Sequence, residues 1–145
     1  MVTESLKSQR DVLIADGALQ GLTFTRELAR RADEWLRSVA AAAPGADEKR
    51  MALIATGGYG RGQLAPYSDL DLLVVHSSHR SVGTFAESLW YPIWDQGFGL
   101  DHAVRTPKEV ARVAADDLRV SLGLLDGRCI WGSAELDEAV LVDVR

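Results

Sequence analysis

The chain has a single cysteine, Cys129, so it cannot form an internal disulfide, and that thiol reads as a small core residue. It also lacks an excess of positive charge: 16 lysines and arginines stand against 21 aspartates and glutamates, a net charge of −5. Affinity for a nucleic-acid backbone comes mostly from cations that neutralise phosphates, so this balance argues against a nucleic-acid partner while leaving a local anion site open. No apolar run approaches the roughly 20 residues that a bilayer demands. The start, Met1-Val2-Thr3-Glu4-Ser5, has neither the basic region nor the apolar core of a signal peptide. The expectation is a cytoplasmic protein without a membrane segment. No histidine and cysteine pair offers a zinc site, and no internal repeat or low-complexity linker is present.

What the chain does contain is the composition of a globular domain, with 47% hydrophobic and 26% charged residues over 145 positions. From Arg26 to Val39, Leu28, Ala32, Trp35, Leu36 and Val39 recur at three- and four-residue spacings, which predicts an amphipathic helix starting as early as Leu19. Met51 to Thr56 is short and apolar and reads as a buried strand. Asp69 to His76 predicts a second, alternating at first and then continuously apolar through Leu73-Val74-Val75. His76 and His79, at its end, read as solvated.

Phe85 to Trp94 predicts a helix kinked or ended near Pro92, with Trp90, Tyr91 and Trp94 as core or a covered interface. Phe98 to Thr106 predicts a third strand, Asp101, Ala103 and Arg105 on one face and Leu100, His102 and Val104 on the other. His102 reads as packed or hydrogen-bonded within the sheet. Thr106-Pro107-Lys108-Glu109 has the spelling of a capped helix start. A last helix is expected from about Asp116 to Ile130, where Asp126 and Arg128 form a structural pair or reach a ligand. Leu136 to Arg145 do not close a domain on this reading. The fold class is α/β (α+β), a short mixed sheet with flanking helices.

The chemistry concentrates in Gly57-Gly58-Tyr59-Gly60-Arg61-Gly62-Gln63-Leu64-Ala65-Pro66-Tyr67-Ser68-Asp69-Leu70-Asp71. Adjacent glycines let backbone amides approach phosphate oxygens, with Arg61 and Ser68 supplying a guanidinium and a hydroxyl. Asp69 and Asp71, two apart on a strand, share one side, and like charges that close are relieved by a proton or a cation. Hard oxygen donors beside phosphate favour magnesium. Gly62 is followed by Gln63-Leu64, which excludes the lysine-containing loop of nucleotide hydrolases, and the glycine spacing excludes a dinucleotide fingerprint.

A glycine pair followed by Asp69-Leu70-Asp71 resembles the nucleotidyltransferase superfamily of DNA polymerase beta and the aminoglycoside nucleotidyltransferases. The run from Gly57 to Leu73, with His102-Ala103-Val104-Arg105-Thr106 and Trp94-Asp95 before a glycine turn, is similar to the bacterial protein-PII uridylyltransferase family over residues 50 to 132. That resemblance implies a nucleotidyltransferase fold and a triphosphate held by Gly57, Gly58, Arg61 and Ser68. It implies two magnesium ions on Asp69, Asp71 and a third carboxylate. Asp101 is the candidate for that acid, and Gly99 marks the position where some relatives carry it. The implied reaction moves a nucleoside monophosphate from UTP or ATP to a tyrosine of the PII signalling protein. Residues 1–48 are expected to form a helical segment packed on a catalytic core of 49–145. Helical, phosphohydrolase and ACT domains would follow in a full-length protein, leaving apolar helix surface exposed here.

Overall fold

The computed structural model describes residues 4–77 and 80–141; His79 and the last four residues of the expected tail lie outside them. Two helices, α1 (Leu6–Asp16) and α2 (Gly21–Ala42), precede strand β1 (Met51–Ala55), the short turn of helix α3 (Gly57–Gly60) and strand β2 (Leu70–His76). Then come α4 (Val82–Asp95), β3 (Leu100–Arg105), α5 (Pro107–Asp116), α6 (Leu118–Leu125), β4 (Arg128–Gly132) and α7 (Ala134–Leu141). The strands form one mixed sheet in the order β3-β2-β1-β4. β1 runs antiparallel to both β2 and β4, while β2 and β3 are parallel.

Period-two alternation divides the sheet between two cores. Met51, Leu53, Ala55, Leu70, Leu72 and Val74 point to the face covered by α1, α2 and α4, joining Leu6, Leu28, Trp35, Leu36, Phe85 and Leu89. Ala52, Ile54, Leu73 and Val75 point to the opposite face, against Val110 of α5, Leu124 of α6 and Val140 of α7. β1 is buried on both faces, as its uninterrupted apolar run requires. Each fully buried aliphatic side chain in such a core contributes about 1.5–3 kcal/mol of transfer free energy.

The expected amphipathic helix is α2, with Leu28, Ala32, Trp35 and Leu36 buried. The capping box at the start of α5 is complete: the Thr106 hydroxyl accepts from Glu109 N, and the Glu109 carboxylate accepts from Thr106 N. The helix expected over Phe85 to Trp94 is α4, which carries Pro92 inside it and ends three residues later at Asp95. One expectation needs correction. The helix expected through Ile130 ends at Leu125, and Arg128–Gly132 is instead strand β4. Leu118, Leu122, Leu125 and Cys129 have helical spacing, but the backbone turns at Gly127, and Ile130 then packs with β1 in the sheet.

α1 falls within the segment 1–48 expected to be helical, whereas α7 was not anticipated as an element. α1 buries Leu6, Arg10 and Leu13, with the Arg10 guanidinium stacked over Phe98 and Tyr67 at 4.8 and 5.4 Å. His102 packs against Trp90 and Trp94, as expected for a sheet histidine. Trp90 is buried, but Tyr91 and Trp94 are exposed, as are Leu118, Leu122 and Leu125 along α6. Among the described residues no helix is long and apolar enough to cross a membrane.

Candidate active site

β1 delivers its carboxyl end to the glycine turn. Thr56 N donates to Asp71 O at 3.0 Å, so the turn begins while β1 is still paired with β2. Gly57 then takes φ +56°, a left-handed conformation that suits glycine. A Cβ at Gly57 would lie 2.9 Å from Asp71 Oδ2, so glycine also lets the backbone sit against that carboxylate. Gly60 is equally constrained, since a Cβ there would meet Asp126 O at 2.5 Å and Ala55 O at 2.9 Å.

The parallel register of β2 and β3 makes Asp71 and Asp101 direct Cα partners. Partners in register share a face, and Asp71 lies on the same side as Leu73, the side of α5 and α6. Burial pushes the Asp71 carboxyl above the ordinary carboxylate range, and the charges of Asp101 and then Asp69 push it further, against a smaller pull from Arg61. Asp69 precedes β2 and is exposed, its carboxylate filling the space beside Gly99: a Cβ at Gly99 would lie 1.8 Å from Asp69 Oδ1.

A cavity of about 410 Å³ opens over Asp71 and Asp101, and Asp69 is not among the residues that line it. Thr56, Gly57, Asp71 and Asp101 line one side, Arg105 and Arg119 bring positive charge, and Val110, Val120 and Leu124 form an apolar wall between α5 and α6. Gly123 of α6 comes close to the turn, where a Cβ would lie 3.8 Å from Gly57 N.

The structure thus brings Gly57, Asp71 and Asp101 into one cavity. Gly58 adjoins it, 3.5 Å from Arg61 Nη2 as measured from a built Cβ. Arg61 is half exposed and pairs with Asp126 at 2.9 Å. Ser68 is exposed in the loop before β2, its amide donating to Ala65 O, and it does not line the cavity. Asp126 and Arg128 take separate partners, Asp126 with Arg61 and Arg128 with Asp33. Thr56, Asp117, Arg119 and Gly123 were not singled out from the sequence; the spacing of Asp117 and Arg119 around the start of α6 gives no sign that α6 folds over the glycine turn.

The three carboxylates have the hard oxygen donors that suit a magnesium ion, and the Asp71 carboxyl is raised first by burial and then by the neighbouring acids. As the side chains stand, no three acidic, histidine or cysteine groups among the described residues converge into a metal-holding cluster. The donor chemistry of these residues fits a divalent cation.

The mixed sheet and its glycine turn define the class: the fold is that of nucleotidyltransferases. The chain belongs to the nucleotidyltransferase domain family, whose model matches residues 45–123. It is 45% identical over 139 residues to the bifunctional uridylyltransferase/uridylyl-removing enzyme of Streptomyces coelicolor, covering 92% of this chain and 16% of that protein. It is 40% identical over 115 residues to the enzyme of the same name from Mycobacterium tuberculosis, covering 78% of this chain and 14% of that one. The chain therefore spans about a sixth of the length of these relatives. A crystal structure of a toxin–antitoxin with AMP-PNP has a similar fold, with TM-score 0.50 and 14% identity over 77% of this chain and 82% of that one.

Proposed function

We propose that this chain is a magnesium-dependent nucleotidyltransferase that transfers UMP, or AMP, from the triphosphate to a tyrosine hydroxyl of the PII signalling protein, releasing pyrophosphate. The observation that carries this reading is the cross-strand pair Asp71 and Asp101 beneath the Gly57 turn, in a cavity that also holds two arginines. The uridylyltransferase relatives support the choice of chemistry and donor.

In this reading Gly57 and Gly58 hold the triphosphate through backbone amides, with Arg61 and Ser68 at its edge. Arg105 and Arg119 balance phosphate charge within the cavity. Asp69, Asp71 and Asp101 would hold two magnesium ions, which when bound would supply electrostatic stabilisation to the phosphoryl transfer. Asp101, exposed on edge strand β3, accepts the proton from the attacking hydroxyl. A new bond joins the tyrosine oxygen to the alpha phosphorus, and the bond between that phosphorus and the bridging oxygen of pyrophosphate breaks. An unperturbed phenol has a pKa of about 10, so the adjacent carboxylate matters for rate.

Residues 49–145 form the catalytic unit in this reading, with the helices of 1–48 packed on it and the further domains of the longer relatives belonging to the full-length protein. The compartment is the cytoplasm. A second reading, a domain that binds nucleotide or a partner without turnover, is favoured by one observation: the three carboxylates do not close into a cluster as they stand. A transferase with a different acceptor is a third.

The test is incubation with magnesium, labelled UTP or ATP, and PII. Label on PII that disappears with Asp71→Ala supports transfer. Nucleotide binding without transfer favours the second reading, and label on a different acceptor the third. Absence of binding to either triphosphate sinks both transferase readings and the nucleotide-binding form of the second, leaving only a partner-binding domain.

A further inference from the structure

The matched family region begins at residue 45 and ends at 123, yet the glycine turn inside it is gripped by residues from outside both ends. Asp33, buried on α2, accepts a hydrogen bond from the Tyr59 hydroxyl at 2.7 Å and pairs with the Arg128 guanidinium. Arg128, from β4, also donates to Tyr59 O at 3.0 Å and Gly60 O at 3.3 Å, the last carbonyls of α3. Its guanidinium lies over the buried Tyr59 ring, 5.5 Å from the centroid. A second tie joins the same two elements, Arg37 of α2 donating to Ile130 O of β4 at 2.9 Å.

One guanidinium therefore spends its fork on a carboxylate and two backbone carbonyls of a four-residue turn. Tyr59 O also accepts from Gly62 N at 2.9 Å, so Arg128 adds a cation to a carboxyl end already turned back on itself, where it opposes the local dipole. Tyr59 is the hinge of the arrangement: its ring fills the core below the turn, its hydroxyl binds Asp33, and its carbonyl binds Arg128. The turn cannot rotate about the strand axis without breaking these bonds together.

We infer that Asp33 and Arg128 are positioning residues for the Gly57–Gly60 turn, a partly buried ion pair that fixes how Gly57 and Gly58 face the cavity and so sets affinity for the nucleoside triphosphate. This rests on the nucleotidyltransferase reading above. It makes α2 and β4, which lie outside the matched region, part of the substrate-binding machinery.

The test uses the whole chain with Arg128→Lys and Asp33→Asn. Lysine keeps the charge but cannot supply a planar fork to three acceptors. Asparagine keeps an acceptor for the Tyr59 hydroxyl and removes the charge. Amide hydrogen exchange is followed for residues 57–62 and for β1 as an internal reference, alongside kinetics with magnesium and UTP or ATP. The expected result is exchange about tenfold faster in the turn with β1 unchanged, and KM for the triphosphate up about tenfold with kcat within about threefold. Faster exchange spread equally over β1 and the turn would make the pair general scaffold and overturn the inference. So would a loosened turn with unchanged KM. If the unaltered chain neither binds nor transfers nucleotide, the functional reading fails; exchange then judges the clamp by itself, local loosening keeping it and its absence removing it.

Discussion

Asp71 and Asp101 are Cα partners across the parallel pairing of β2 and β3, so their carboxylates lean over the same face of the sheet. Asp71 is half buried, and its carboxyl is raised first by that burial, then by Asp101 and Asp69. A carboxyl raised on folding contributes stability that is present below the unfolded pKa and lost as pH rises through the folded value. At neutral pH the ionised Asp71 therefore works against the fold. Asp71→Asn is expected to raise the melting temperature at pH 7 in EDTA, with the gain shrinking as pH falls toward the unfolded carboxyl value. The same variant should lose transfer by at least about a hundredfold. Thermal melts at several pH values, paired with a transfer assay, check both; a lowered melting temperature at neutral pH would contradict the electrostatic account.

Asp101 has a different duty in the proposed reaction, since it lies exposed on the edge strand where an acceptor can approach. Asp101→Asn should leave triphosphate affinity within about threefold but cut transfer by about 10²–10⁴, the range for a positioned proton acceptor. Titration calorimetry with UTP or ATP and magnesium, set against single-turnover transfer, separates the two effects. Equal losses in binding and transfer would instead place Asp101 chiefly among the groups that hold the nucleotide.

Gly99 tests the placement of Asp69. A methyl at position 99 would claim the space that the Asp69 carboxylate fills, since a built Cβ stands 1.8 Å from Oδ1. The obstructing atom is the end of a flexible side chain, so Gly99→Ala should swing Asp69 away at modest cost, within about 1 kcal/mol of the native stability. Transfer should fall by about tenfold or more if the present side of Asp69 is the working one. Denaturant unfolding and transfer rates measured on the same preparation decide it: an unchanged rate would mean that Asp69 acts from another rotamer.

Much of this arrangement was legible in the sequence where the signal is local. The apolar runs of β1 and β2, the glycine turn between them and the Thr106 capping box are spelled by neighbouring residues, and each occurs as read. The pairing of Asp71 with Asp101 was half legible: alternation in β3 puts Asp101 with Ala103 and Arg105, but only the parallel register sets it beside Asp71. β4 was hidden because Leu118, Leu122, Leu125 and Cys129 keep helical spacing across its boundary. The Asp33 to Arg128 pair was out of reach, because its partners stand 95 positions apart and each has ordinary local surroundings for a charged residue. Arg119 was missed for the same reason, since nothing near it in sequence says that α6 folds over the turn.

Arg119 and Arg105 bring positive charge to a cavity whose floor carries Asp71 and Asp101, an arrangement that suits an anionic ligand bridged to the acids by cations. Arg105 extends from β3, four positions beyond Asp101, whereas Arg119 sits in the first turn of α6 and is exposed. A charge-assisted hydrogen bond to phosphate is worth about 1.5–3 kcal/mol, which solvent and salt reduce at an exposed site. Arg119→Ala should therefore weaken triphosphate binding by about threefold to tenfold, and Arg105→Ala, less exposed, by more than tenfold. Both losses should shrink as salt is raised, and nucleoside without phosphates should bind the variants and the unaltered chain alike. Calorimetric titrations at two ionic strengths with UTP and with uridine give the comparison. If uridine binding falls in parallel with UTP, the arginines act on the wall that receives the base rather than on the phosphates.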